Sequence, residues 1–333
     1  MNRIAVIGAD VFDTFAWHIQ YTLQKMGYNS KIFDIGDTWI RKLFKGYFLY
    51  YGMRFYKKFE YYVFRKLEKT ILSYNPQLII VVYRHVPPFV IDFLKKELNA
   101  KIIHWNSDSL ATLDRGYIFT SKYDTWFVKD RYMESFMKDK LGLNVYYLPR
   151  CFNPDIHKPP KKVKFGSLFD VSIAGTLYPY RAKMLDDLSE NFNIKIFGDL
   201  PRWMDKRYKK FHSGEYIKGK RKAEVFYGSK INLNILHYAE INGDHGRLFE
   251  IAGCGGFQIC DEKDVIKELF VENKEIILYK NIKDLRDKVA FYLKNVDKAF
   301  DIAVRSRKRA LKEHTYEKRI KEVFKIIGFR NIK

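Results

Sequence analysis

Residues 230–261 read KINLNILHYAEINGDHGRLFEIAGCGGFQICD, and no other stretch restricts the fold as tightly. Residues 231–236 form a short, mostly apolar run with β-branched members, the pattern of a buried strand. A polar loop follows with Asn242, Gly243, Asp244 and Gly246, and residues 247–252 then offer helix formers without proline. Gly253, Gly255 and Gly256 end that helix, and residues 257–260 read as the next strand. One strand-helix-strand unit results. It sets Asp244, His245, Gly246, Arg247 and Glu250 near the carboxyl end of a parallel strand, where open α/β sheets bind ligands and free helix amides attract anions.

The same alternation fills the chain. Apolar strands are expected at 3–7, 31–34, 78–83, 101–105, 124–128 and 144–148, with helical spacing after Gly8 and at 131–141. Gly8 lacks the G-x-G-x-x-G spacing, so a dinucleotide fingerprint is not supported and the glycine reads as a tight turn. Asp10, Arg84, His85 and Asp108 follow strand ends and would share one ligand edge; each alone also reads as an ordinary loop residue. The pattern restarts with strands at 170–174 and 194–197, a helix at 180–188, a strand at 275–279 and helices from 282 onward, the last of them amphipathic and basic at 317–327. A chain of 333 residues exceeds one usual core. Residues 149–166 carry four prolines and a basic cluster, so the domains are expected as 1–150, a linker at 151–168, 169–312, and a closing helix at 313–333.

The formal charge of +22 calls for an anionic partner: nucleic acid, an anionic membrane face, or a phosphate ligand. A compositional bias towards lysine is the plainer account of part of it. The stretch 39–72, which opens on Trp39 and closes on Leu72, interleaves aromatic residues with Arg41, Lys42, Lys45, Arg54, Lys57, Lys58, Arg65, Lys66 and Lys69. It reads either as helices packed on the sheet, as a face for an anionic membrane, or as a stacking platform for nucleic acid. No run of about 18 uncharged apolar residues occurs, and the first residues read as a strand rather than a secretory leader. Three cysteines are too few and wrongly spaced for a disulfide framework or zinc site. A cytoplasmic location is expected, with peripheral contact at the inner membrane face.

Gly175 and Thr176, with Arg181 one turn into the next helix, suit a phosphate: backbone amides and a guanidinium can converge on it. A surface arginine in a first helical turn is the competing reading. Glu250 can accept a hydrogen bond on each carboxylate oxygen and so suits two ribose hydroxyls. A helix-dipole partner, or an i,i+3 ion pair with Arg247, is the alternative. No P-loop, HExxH, CxxC, G-x-S-x-G or Asp-x-Asp pattern is present, so no metal site is expected.

These segments resemble glycosyltransferases of the GT-B fold, specifically the CgeB-like group within glycosyltransferase group 1. The resemblance rests on DVSIAGTLYPYRAKMLDDL, SKINLNI, GRLFEIAGCGGFQICD, EIILYKNIKDLRDKVAFYLKN and HTYEKR, and more loosely on NPQLIIVVY, HWNSDS and YYLPRCFNPDIHKP. It implies two Rossmann-like domains facing each other across a cleft, the donor nucleotide on the second, and a last helix returning to the first. By position, Glu250 matches a ribose-binding glutamate and Arg181 a diphosphate contact. Gly243 stands where relatives carry a second acidic residue, with Asn242 and Asp244 beside it. His85 lies about where relatives place an acceptor-side histidine. The resemblance implies a retaining, metal-independent transferase that moves a sugar from a nucleotide-diphosphate sugar to a glycan, lipid-linked or protein acceptor in cell-surface glycan synthesis. The sugar nucleotide is a substrate, and no cofactor is implied. Under retention the leaving phosphate can take the acceptor proton; under inversion His85 or Asp108 would be the base. A nucleic-acid-binding protein and an inactive sugar-nucleotide-binding homologue are the rival readings.

Overall fold

A computed structural model of the chain describes residues 2–35, 52–53, 55–109 and 117–330. The chain divides into two compact units, Met1–Pro149 with Tyr316–Lys333, and Arg150–Thr315.

In the first unit the strands are β1 (Arg3–Ile7), β2 (Asn29–Phe33), β3 (Leu78–Val81), β4 (Lys101–Trp105), β5 (Thr125–Val128) and β6 (Val145–Tyr147). They form one parallel sheet in the order β2-β1-β3-β4-β5-β6. Ile4 to Ile7 and Leu78 to Val81 are wholly buried, as expected where helices cover both faces of a parallel sheet. The chain runs from β1 outward to β2 and then crosses back to β3 on the far side of β1. The turns after β1 and β3 therefore diverge, leaving a crevice at the switch point between them.

The helices are α1 (Phe15–Lys25), α2 (Lys57–Tyr74), α3 (Pro88–Glu97) and α4 (Arg131–Leu141). Local chemistry sets their ends. Asp130 caps α4 by accepting from the Tyr132 amide at 2.9 Å, and Gly142 closes it in the left-handed region at φ 64°. The sequence bounds for this helix, 131–141, coincide with the structure. Strand β3 stops at Val81 rather than Tyr83, because the Val82 and Tyr83 amides both turn to the Ile7 carbonyl. Pro87 and Pro88, which interrupt a strand, instead start α3, where a missing amide costs nothing.

Helix α2 covers part of the aromatic, basic stretch. Residues 39–51 and Arg54, with Arg41, Lys42 and Lys45 among them, lie outside the described residues. Val63, Phe64, Leu67 and Ile71 of α2 enter the core, so this portion is a packed helix. Glu60 and Glu68 also point inward, while Lys57, Lys58, Tyr61, Tyr62, Lys66 and Lys69 remain exposed.

The second unit holds β7 (Phe169–Ala174), β8 (Ile194–Phe197), β9 (Ser229–Asn234), β10 (Gln258–Asp261) and β11 (Ile277–Tyr279). All pair in parallel in the order β11-β10-β9-β7-β8. Helices α5 (Pro179–Ser189), α6 (Gly219–Gly228), α7 (Gly246–Gly253), α8 (Asp264–Leu269), α9 (Ile282–Lys294) and α10 (Val296–Glu313) flank it. From β7 the chain steps out to β8 and returns across β7 to β9, which puts a second switch point between β7 and β9. Residues 151–168, expected as a linker, fall within this unit. Phe152, Asn153 and His157 are buried, and the Phe152 amide bonds to the His314 carbonyl at 3.0 Å. Four prolines suggested an open strand of chain, but Phe152 fills the space against Gly253, where a Cβ would overlap its ring.

A last helix, α11 (Tyr316–Ile327), belongs to the first unit. Tyr316 packs on Phe15 and stacks on His18 of α1, with ring centroids 5.8 and 5.1 Å apart, and Arg319 donates to the Pro149 carbonyl at 3.0 Å.

Candidate functional site

The β7–β9 switch point gathers Gly175, Thr176, Arg181, His245, Gly246, Arg247 and Glu250. Gly175 ends β7 with φ +117°, a conformation that disfavours any side chain, and its amide bonds to the Phe197 carbonyl at 2.7 Å. A Cβ there would overlap Arg247 Nη1 and approach Arg181 Nη1 to 3.4 Å. Two guanidinium groups therefore press against one glycine.

Arg181 is not the surface arginine that its place in a first helical turn suggested, since only 3% of it is exposed. Its Nη1 donates to the Thr176 carbonyl at 2.8 Å and its Nη2 to the Ile235 carbonyl at 2.7 Å, which ties the turn after β7 to the end of β9. Tyr178 and Tyr180 lie beside it, at 5.5 and 5.6 Å from guanidinium carbon to ring centroid. Arg247 donates Nη1 to the Ala174 carbonyl. The Nε of each arginine is buried, with no hydrogen-bond partner among the described residues. Burial first, and then the Arg181 charge, push the Arg247 pKa down to about 9. A guanidinium keeps its proton at neutral pH even so, and the depression expresses two like charges held out of water.

His245 caps α7, its Nδ1 accepting from the Arg247 amide at 3.2 Å. Glu250 does not pair with Arg247, whose guanidinium turns to β7. Lys222 of α6 holds one Glu250 oxygen at 3.2 Å, and His157 Nε2 stands 3.9 Å from the other. The Glu250 side chain is 15% exposed, so it still reaches the surface of the site. Asp244 is fully buried and accepts from the Arg150 amide at 3.1 and 3.2 Å, and Asn242 accepts from the Val265 amide at 3.2 Å. Both side chains brace the loop around Gly243. Nearby, Asp261 accepts from the Leu236 amide, and burial raises its pKa.

Three polar neighbours of the site escaped the sequence reading: Lys222, His157 and Arg150. Arg150 Nη2 lies 3.1 Å from where a Gly246 Cβ would stand, which adds a third cation at the start of α7. No spacing rule links residues 150, 157 and 222 to 246–250. The bareness of Gly246 at a helix start was the one local hint that something approaches there.

His85 and Asp108 sit in the other unit, at the β1–β3 switch point. With Arg84 they line a cavity of about 390 Å³, in which Arg84 Nη1 stands 3.8 Å from Asp108. The fourth residue of the expected edge, Asp10, instead donates its amide to Asp34 at 3.1 Å and is not among the residues lining this cavity.

Two parallel sheets flanked by helices, each with polar residues gathered at a switch point, make this an α/β chain of the GT-B fold class. Solved structures agree along the whole length. A sucrose-phosphate synthase from Thermosynechococcus elongatus matches with a TM-score of 0.72 at 10% identity, covering 98% of each chain. Anabaena HepE, solved with UDP and glucose, matches with a TM-score of 0.68 at 10% identity over 98% of this chain and 100% of that one. A glycosyltransferase from Rickettsia africae gives 0.65 at 12% identity over 99% of both chains. Residues 181–325 match the family described as glycosyl transferase-like. Fold and family match together make the chain similar to glycosyltransferases of the GT-B class. No curated protein matches the chain, and the match is to the broad family rather than to its CgeB-like subgroup. Among the described residues no helix is long and apolar enough to cross a membrane.

Proposed function

We propose that the chain transfers a sugar from a nucleoside-diphosphate sugar to a hydroxyl of a glycan, lipid-linked or protein acceptor. The pair of guanidinium groups at Gly175, Arg181 buried and Arg247 half-buried, carries this reading. Burying unmatched cations costs several kcal/mol, and a diphosphate at the β7–β9 crevice recovers that cost while its own charge is met. Each orphaned Nε–H is then available to a phosphate oxygen, or to a water bound with it. Glu250, pinned by Lys222, accepts from the ribose hydroxyls, and Arg150 adds charge at the start of α7.

Departure of the sugar leaves a second negative charge on the β-phosphate. Arg181 and Arg247 are already in place to stabilise it, and preorganised charge of this kind needs no rearrangement as the bond breaks. No step then depends on a metal ion. Under retention the leaving phosphate takes the acceptor proton; under inversion His85 or Asp108 takes it. HepE was solved with UDP, which favours a uridine diphosphate donor here. Work at the cytoplasmic face of a membrane fits the outward lysines of α2, which would meet anionic lipid.

Thermal unfolding against UDP, GDP, ADP, CMP and a short oligonucleotide tests the reading. A ligand at 100 times its Kd stabilises by about 2.7 kcal/mol. A shift with one nucleoside diphosphate, lost in Arg181→Ala, is the expected result. A shift with the oligonucleotide alone, abolished by salt, would replace this reading with nucleic-acid binding.

A further inference from the structure

The cavity of the first unit has a composition unlike the rest of the chain. Two of its walls come from strand ends, Ala9 and Thr14 after β1 and Val82 to His85 after β3, and a third comes from α2. That third wall contributes Glu60, 97% buried, which lies beside Phe64 and faces the same space as Asp108. In a chain of charge +22 a crevice lined by two carboxylates is the exception.

The local charge balances. Lys57 holds Glu60 from the solvent side at 3.0 Å and also donates to the Tyr117 hydroxyl at 3.1 Å, which together raise its pKa. Arg84 faces Asp108 at 3.8 Å. The cavity is thus lined by carboxylates, a guanidinium and an imidazole with almost no net charge. Phe15, Phe64 and Met53 supply apolar surface between them. Its volume lies at the lower end of the range for small-ligand sites.

This chemistry discriminates among acceptors. A phosphate or carboxylate head would have to compete with Glu60 and Asp108 for the cations that already face them. A sugar ring presents hydroxyls that donate to carboxylates and C–H faces that pack on aromatic rings, and it carries no charge to repel. We infer that the cavity at the β1–β3 switch point binds a neutral monosaccharide unit, the terminal sugar of the acceptor, with Glu60 as the residue that selects its hydroxyls. This rests on the transferase reading above and narrows the acceptor to a glycan end. Glu60 recognises the sugar through charge-assisted hydrogen bonds, and Gln at that position keeps the shape while weakening them.

Saturation-transfer NMR on the full chain, with methyl glycosides of glucose, mannose, galactose and N-acetylglucosamine, tests the inference, with glycerol phosphate as the anionic control. At least one glycoside should give a signal in the absence of nucleotide. Ser107→Phe, which sets a ring in place of a small lining side chain, should abolish that signal, and Glu60→Gln should raise the glycoside Kd about tenfold, with the UDP-induced thermal shift unchanged in both. A signal from glycerol phosphate alone, or from no glycoside while the UDP shift persists, would overturn the acceptor site and leave the donor reading standing. A glycoside signal indifferent to both variants would place the sugar elsewhere and overturn it as well. Glycoside binding without any nucleotide shift would uphold the cavity and remove the donor reading.

Discussion

Arg181 and Arg247 approach the same glycine from two different helices, and among the described residues neither has a carboxylate within ion-pair distance of its guanidinium. Arg181 spends its terminal nitrogens on the carbonyls of Thr176 and Ile235, and Arg247 turns to that of Ala174. Their charges repel, and the pKa of Arg247 registers it. A site built this way is unfinished until an anion enters.

The first prediction follows from that incompleteness. Arg247→Met removes one of two repelling charges whose Nε atoms are both out of water, so the ligand-free protein should unfold at the same temperature or higher. The same variant should lose most of its stabilisation by UDP, since a hydrogen bond to a charged group contributes roughly 1.5–3 kcal/mol. Parallel thermal melts with and without UDP check both signs. A variant that melts lower yet keeps the UDP shift would show the arginine to be scaffolding.

Glu250 and Lys222 should act as a unit on the nucleoside and not on the phosphates. Glu250→Ala is expected to raise the donor KM by about 10- to 100-fold, the cost of roughly one or two charged hydrogen bonds. Lys222→Ala should do the same more weakly by letting the carboxylate swing, with Lys222→Arg restoring part of the loss. Inorganic pyrophosphate, which has no ribose, should inhibit wild type and both variants alike. Calorimetric Kd values for UDP and pyrophosphate separate the two halves of the site.

Acid stability should depend on His104 of β4. Its ring is fully buried, and burial pushes its pKa down to about 3 against a value near 6.5 in the unfolded chain. The neutral form is the one the fold accepts. The contribution is therefore complete above pH 6.5 and falls as pH drops towards 3, by about 1.4 kcal/mol per unit. His104→Leu should flatten the acid limb of a denaturation curve over that window. An unchanged slope between pH 6 and 4 would show that the ring stays neutral for another reason.

Helix α2 should bring the chain to anionic bilayers. Its outward positions carry Lys57, Lys58, Lys66 and Lys69 with Tyr61 and Tyr62, while both of its glutamates face inward. Each lysine near an anionic surface is worth about 1 kcal/mol. Reversing Lys58, Lys66 and Lys69 to Glu should lower binding to phosphatidylserine vesicles by at least 100-fold, and neutral phosphatidylcholine vesicles should bind neither protein. Flotation at two salt concentrations measures it. Equal flotation of wild type and the reversed variant would leave α2 as a packing helix alone.

The sequence by itself determined the layered α/β design of both units. Runs such as Ile4 to Ile7 and Leu78 to Val81 have no polar member to face water, so they can only be parallel strands covered on both sides. Helix ends were equally legible where a side chain makes the stop locally, as Asp130 and Gly142 do for α4. Arg181, Arg247 and Glu250 could be marked because each sits in the first turns of a helix that follows a strand. Sequence pattern was silent on what those side chains meet. Strand order alone, with β8 set outside β7 and the return to β9, brings Arg181 and Arg247 onto Gly175 and turns a surface residue into a buried charge. Long-range packing likewise carried Lys222 to Glu250, Phe152 onto Gly253 and Glu60 into a cavity with Asp108. Periodicity encodes which face of an element is apolar, a local property. The partners of that face are fixed only when the elements pack, and the chemistry of both sites lies in those partners.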